Sequence, residues 1–265
     1  VDYIQLIPVA VLGLIAGSFA NVCIYRLPLG KSIVRPASAC PTCNRPIAPY
    51  DNIPLISYII LRGRCRHCRA KISLRYPIVE LLNALLYIIA LLDIGGFSGD
   101  RLFRLIEAFY LSTAFLIIFF IDIDHRIIPD SISLSGIAIG ISFSILPGIP
   151  VNWKQALIGT AVGGGLFLLV AEIGDRVFKR ESMGGGDIKL AAMLGACLGW
   201  QGILLVLCLA SFLGSIVGLT QLALAKDKSS ARIVPFGPFL VTAGLIVFYR
   251  GPEIIRFYLK SVGLL

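Results

Sequence analysis

Charge is what this sequence has least of. Only 15% of its 265 residues are charged, against about a quarter in an average soluble domain, while 57% are hydrophobic. That balance excludes an ordinary soluble enzyme. Acidic residues are the scarcer sign, 15 against 24 Lys and Arg. No basic segment precedes the first apolar run, and no small-x-small cleavage site follows it. That run therefore reads as a membrane span and not as a removable signal. No repeat of roughly 20 to 50 residues and no low-complexity segment stands out.

What is present is long apolar helix. Runs bounded by Pro, Gly or charge predict eight spans, at Ile4–Tyr25, Pro77–Leu92, Leu102–Ile121, Ser131–Leu146, Ala156–Ile173, Ile188–Gly199, Ile203–Ala225 and Phe236–Tyr249. At about 20 residues per span they leave too little chain for a second soluble domain. The expected fold is an all-α, polytopic transmembrane helix bundle with one small extramembrane module. It divides into a first span (residues 1–25), a loop module (26–76) and a bundle (77–265).

The net charge of +9 comes from one place. Arg26 to Arg75 holds ten Lys or Arg and a single acid, Asp51. The rest of the chain is neutral, so this is a membrane body carrying one basic loop. Such a loop belongs in the cytoplasm. With it inside, the loops near 122–130, 174–187 and 226–235 also fall inside. Lys and Arg then divide 18 inside to 6 outside.

Five GxxxG pairs lie in the spans: Gly13/Gly17, Gly136/Gly140, Gly159/Gly163, Gly195/Gly199 and Gly214/Gly218. Small residues at this spacing let helix backbones approach closely. They predict a tight bundle and not a site.

The basic loop contains Cys40-Pro-Thr-Cys43 and Cys65-Arg-His-Cys68, separated by 21 residues. Two CxxC turns at about this spacing make a zinc ribbon, with one ion held by four thiolates. A loop with so little apolar content needs such a staple to fold. Iron on the same four ligands is the alternative; disulfides are disfavoured in a reducing cytoplasm. His67 reads as solvated or supporting and not as a ligand. Cys23, Cys197 and Cys208 fall in spans as packing residues. The surrounding Arg62, Arg64, Arg66, Arg69, Lys71 and Arg75 match a membrane surface better than nucleic acid, because no aromatic platform interleaves with them.

The remaining signal is where the acids fall. Glu107 pairs at helical spacing with Arg101 and Arg104 in an outer turn. Asp122, Asp124 and Asp130 follow span three, and Asp187 closes the glycine loop Met183-Gly184-Gly185-Gly186 before span six. Asp187 and Asp130 are each plausible helix caps, and Asp124 a solvated loop acid. Asp122 ends an unbroken apolar run and sits at the membrane edge. Two carboxylates on different helices at one membrane face are what an aspartyl hydrolase requires.

Taken together, Gly17-Ser18-Phe19-Ala20-Asn21 through Arg26-Leu27-Pro28, the paired CxxC, Asp51-Asn52-Ile53-Pro54, Arg62-Gly63-Arg64-Cys65, Arg75-Tyr76-Pro77 with Glu80, Asp122-x-Asp124 through Pro129-Asp130, the GxGD of Gly184 to Asp187 with Lys189, and Pro235-Phe236-Gly237-Pro238 resemble the bacterial prepilin peptidases. The resemblance implies a GxGD-type membrane aspartic protease of the bacterial inner membrane. Its substrates would be type IV prepilins or type II secretion pseudopilins, with a basic leader and an apolar N-terminal helix. It also implies N-methylation with S-adenosylmethionine, tied to the cysteine loop. Carried over by position, the catalytic acids are Asp122 and Asp187, with Asp124 and Asp130 set aside. Zinc falls to Cys40, Cys43, Cys65 and Cys68. No residue is assigned to S-adenosylmethionine. Membrane lipid is an expected partner and nucleic acid is not. The alternative from another class is a transporter with a zinc-ribbon regulator, which midplane ionisable residues or paired broken helices would favour.

Overall fold

A computed structural model describes residues 3–179, 183–224 and 235–263. The helices are α1 (Leu6–Arg26), α2 (Ile56–Ile60), α3 (Arg75–Ile94), α4 (Arg101–His125), α5 (Asp130–Phe143), α6 (Trp153–Phe178), α7 (Gly185–Leu224) and α8 (Gly237–Ser261). No strand occurs among the described residues, so the fold is all-α. Six of these helices, all but α2 and α5, are long and apolar enough to cross a membrane.

The expected eight spans map onto this set. The fourth is α5, a shorter apolar helix of 14 residues. The sixth and seventh are the two halves of α7, whose 40 residues meet at Gly199 with φ 71 and ψ 175. A straight helix of that length would measure about 60 Å, twice the hydrocarbon thickness. Only glycine adopts the Gly199 conformation readily, and it bends the chain there. The expected end at Ala225 and the loop at 226–234 lie outside the described residues. Two other ends differ from the sequence reading. α4 continues past Ile121 to His125, so Asp122 and Asp124 belong to its final turns and not to a loop. α8 continues past Tyr249 to Ser261, with Pro252 inside it.

The chain packs as two units, Val1–Ile117 and Ile118–Leu265. In the first, α1 and α3 run antiparallel along the Gly13/Gly17 face. A Cβ on Gly13 would lie 2.6 Å from the Ala84 Cα, and one on Gly17 2.7 Å from the Glu80 Cα. Polar side chains fasten this seam: Asn83 Nδ2 donates to the Gly13 carbonyl at 2.8 Å, and Asn21 Nδ2 to that of Tyr76 at 3.0 Å. Thr113 Oγ1 of α4 donates to Asn83 Oδ1 at 3.0 Å, and Phe109 stacks on Tyr87 at 4.1 Å. Arg104 pairs with the buried Glu107 at 2.9 Å, as the spacing predicted, while Arg101 turns instead to the Gly95 carbonyl.

In the second unit α7 is the hub. Its first half lies antiparallel to α6, with Gly195 against the Gly159 backbone and Gly163 against Ala191. It runs parallel to α5, where Gly136 meets Met193 and Gly140 meets Cys197. Four of the GxxxG pairs thus act as contact faces, as expected; a Cβ on Gly214 would meet Phe239 and Phe236 only at ordinary contact distance, and one on Gly218 would meet no described atom within 4 Å. Cys23 and Cys197 are buried packing residues, whereas Cys208 is exposed on its helix.

Candidate active site and metal centre

α4 ends because Arg126 adopts φ 55, a left-handed cap whose N–H donates to the Asp122 carbonyl at 2.9 Å. The chain then turns so that Ile128 is buried beside both Gly186 and Gly237. A Cβ on Gly186 would stand 3.0 Å from the Ile128 Cβ, and one on Gly237 3.4 Å from its Cδ1. Ile128 therefore gathers the C-terminal end of α4 and the N-terminal ends of α7 and α8 around one point. Asp122 sits there, 4% exposed. Its Oδ2 accepts no hydrogen bond in good geometry, although the Gly237 amide faces the carboxylate. A Cβ at Gly237 would come 2.5 Å from that oxygen, so no larger residue fits.

Asp187 lies in the first turn of α7, with its N–H bonded to the Gly184 carbonyl at 3.1 Å. It is half-buried, and its carboxylate is close enough to feel the charge of Asp122. The two acids chosen from sequence are thus brought together. Asp130 is not a cap: the residue preceding α5 is Pro129, and Asp130 clamps Lys189 Nζ with both oxygens at 2.7 Å, largely in solvent. Asp124 faces solvent on the last turn of α4.

The four cysteines form a second cluster. Sγ atoms of Cys40, Cys43, Cys65 and Cys68 all lie within 4.8 Å of one another, and those of Cys40 and Cys68 are 3.8 Å apart. Metal–sulfur bonds of about 2.3 Å in a tetrahedron put the sulfurs about 3.8 Å apart. The donor set can therefore hold a metal such as zinc. Two matching turns build it. Asn44 (φ 55) donates to the Cys40 carbonyl at 2.8 Å, and Arg69 (φ 60) to that of Cys65 at 3.0 Å. Cys40 N–H donates to Arg45, as Cys65 N–H does to Ala70; Ile47 N–H donates to Ser38, as Ile72 N–H does to Gly63. The module is thus a duplicated knuckle at a 25-residue offset. The sequence reading missed this repeat because little beyond Cys, Cys and the closing Ile matches.

Amides set the sulfur chemistry. Those of Cys43 and Thr42 bring the Cys40 thiol down to about 6, and those of Cys68 and His67 lower Cys65. The Ala70 amide favours thiolate at Cys68, but burial and the neighbouring sulfurs push that thiol up to about 11. One cluster thus mixes thiolate and thiol, which a divalent metal would convert fully to thiolate. Arg66 holds Asp51 with two hydrogen bonds at 2.5 and 2.7 Å, keeping that carboxyl below its usual range, and lies over the Tyr50 ring. His67 is exposed, with its ring 3.3 Å from an Arg45 nitrogen.

Comparison with known proteins matches both regions. The profile of the bacterial Peptidase A24 N-terminal domain covers residues 11–94, and that of the type IV leader peptidase family covers residues 109–219. A Pseudomonas aeruginosa protein named prepilin leader peptidase/N-methyltransferase is 36% identical over 99% of this chain and 98% of its own. This chain belongs to the type IV leader peptidase family. Relatives of the same name from Aeromonas hydrophila (36% identical, 94% of this chain and 91% of that one) and Myxococcus xanthus (44% identical, 84% of this chain) extend the likeness. The match spans only 64% of the Myxococcus protein. No solved structure matches the chain significantly. Two residues packed around Asp122, Gly237 and Ile128, carry no role in the sequence analysis. Gly237 was visible in the Phe236-Gly237-Pro238 motif, whereas nothing local to Ile128 marks it.

Proposed function

We propose that this chain is an aspartic endopeptidase of the bacterial inner membrane. It cleaves the basic leader from type IV prepilins or type II secretion pseudopilins at the cytoplasmic face, and then N-methylates the new terminus. The observation that carries this reading is the convergence of Asp122 and Asp187 at one end of the second unit, with Gly237 and Ile128 closing the site around them.

The two carboxylates are near enough for charge on one to oppose ionisation of the other, so the working pair has one ionised and one protonated member. The ionised member takes a proton from water as its oxygen attacks the peptide carbonyl carbon. The protonated member donates to the carbonyl oxygen. Collapse breaks the C–N bond, and the departing amine takes up the proton gained from water. Lys189, paired with Asp130, ties the start of α7 to that of α5 and so fixes the approach of Asp187.

The working division is a first span (1–25), a cytoplasmic metal module (26–76) and a peptidase bundle (77–265). Zinc would be held by Cys40, Cys43, Cys65 and Cys68, where it supplies a fold-organising link between the two knuckles. S-adenosylmethionine supplies the methyl group for the new amine, and no residues among those described are assigned to it. Purified protein incubated with a prepilin, with and without S-adenosylmethionine, tests the whole reading by the masses of the products. Leader loss in both tubes and a methyl increment in one is the expected result. An intact prepilin in both would overturn it.

A further inference from the structure

Helix α2 is built inside out. Its polar residues point into the cysteine module: Ser57 Oγ donates to the Tyr50 carbonyl at 2.9 Å and accepts from Ile53 N–H at 3.0 Å, and Tyr58 Oη reaches the Ile72 carbonyl at 3.4 Å. Its isoleucines point out, with Ile56 54%, Ile59 72% and Ile60 68% exposed. A five-residue helix cannot cross a bilayer. A contiguous apolar ridge on a strongly basic module therefore needs another occupant.

Two observations say where α2 stands and what it faces. Leu55, the residue before the helix, is held in an unusual backbone conformation (φ 58, ψ −48), and its N–H donates to Glu80 Oε2 at 2.9 Å. Glu80 is buried in the second turn of the membrane-crossing α3, so α2 is pinned level with the membrane end of that helix. Around the ridge, Arg62, Arg64, Arg69 and Lys71 are all exposed, and the module's lone acid, Asp51, is already neutralised by Arg66.

We infer that α2 is an interfacial anchor: Ile56, Ile59 and Ile60 enter the acyl edge of the bilayer in which the protein sits, while the surrounding arginines and Lys71 hold anionic lipid headgroups. Apolar area and basic charge act together in such binding. A basic prepilin leader is the wrong partner for this surface, because like charges repel across an interface. The anchor does not depend on which acids cut the peptide.

Full-length protein carrying Ile59→Trp, with Trp153→Phe and Trp200→Phe, reconstituted in nanodiscs with brominated acyl chains, tests it. Emission should be quenched by at least about half, and more strongly with anionic than with zwitterionic lipid. Arg62→Gln with Arg64→Gln should remove the anionic preference. Ile60→Trp gives the same reading independently if Ile59→Trp does not fold. Unquenched emission in both positions overturns the anchor. So does quenching that a prepilin peptide abolishes, because the ridge would then belong to substrate.

Discussion

The cysteine module and the glycine-packed second unit solve the same problem with opposite means. The module has little apolar core, so its shape rests on backbone turns that converge four sulfurs into a donor set able to hold a metal. In the second unit bare glycine faces bring α6 against α7 backbone to backbone and let α5 close onto Met193 and Cys197, and the two acids sit at the C-terminal end of α4 and the N-terminal end of α7. If methylation rests on the cysteine module and cleavage on the helix ends, as proposed above, disturbing one support should leave the other reaction largely standing.

The largest effect should come from the acids. Asp122→Asn and Asp187→Asn should each lower cleavage by at least about 1,000-fold, since an amide neither shares a proton nor takes one from water. Asp124→Asn should keep most activity, read from prepilin mass. A dead Asp124→Asn beside an active Asp187→Asn would reverse the choice of acids. Next come the close contacts. Gly195→Ala drives a methyl into the Gly159 backbone and should cost on the order of 1–3 kcal/mol, visible as a lower unfolding temperature with cleavage lost in step. Gly237→Ala should instead reduce turnover by about 10-fold or more with a smaller stability loss, because its methyl meets Asp122 Oδ2.

Metal removal tests the other support. Purified protein should hold about one zinc per chain by elemental analysis, and Cys65→Ser or a chelator should abolish methylation while sparing most cleavage. Equal loss of both would mean that the module also shapes the peptidase site. The pH sign follows from Cys40: its thiolate is favoured in the folded module, so the contribution is complete above pH 9 and is lost as pH falls through about 6. Protons compete with a metal for the same thiolates, so zinc content should fall as the pH is lowered, read by elemental analysis. The smallest effect is expected at the exposed Lys189–Asp130 pair, where Lys189→Ala should cost less than about 1 kcal/mol.

Much of this was legible in the chain. Apolar runs located the spans, because a bilayer demands length and apolarity and little else. The CxxC pairs announced the sulfur cluster, because each turn fixes two ligands locally. Scarcity singled out four acids at the cytoplasmic helix ends, and only the resemblance chose Asp122 and Asp187 among them. What was not legible depends on contacts far apart in sequence. Ile128 has no local signature, and its role exists only when Gly186 and Gly237 meet it. Asp130 read as a cap because its partner, Lys189, is 59 positions away. The outward isoleucines of α2 look like any short apolar run until Ser57 and Tyr58 are seen to face inward.

The two shortest apolar segments of the second unit, α5 and the first half of α7, lie side by side through Gly136, Gly140, Met193 and Cys197. At 14 residues α5 measures about 21 Å, well short of the roughly 30 Å hydrocarbon layer. A bilayer that met this pair directly would thin to match it. A dimple of that kind would carry water down toward the carboxylates and shorten the reach of a peptide bond that sits near the headgroups. Cleavage in vesicles of graded acyl length should then slow as the chains lengthen, and a rate indifferent to thickness would show that the short helices are shielded by protein from the lipid they undercut.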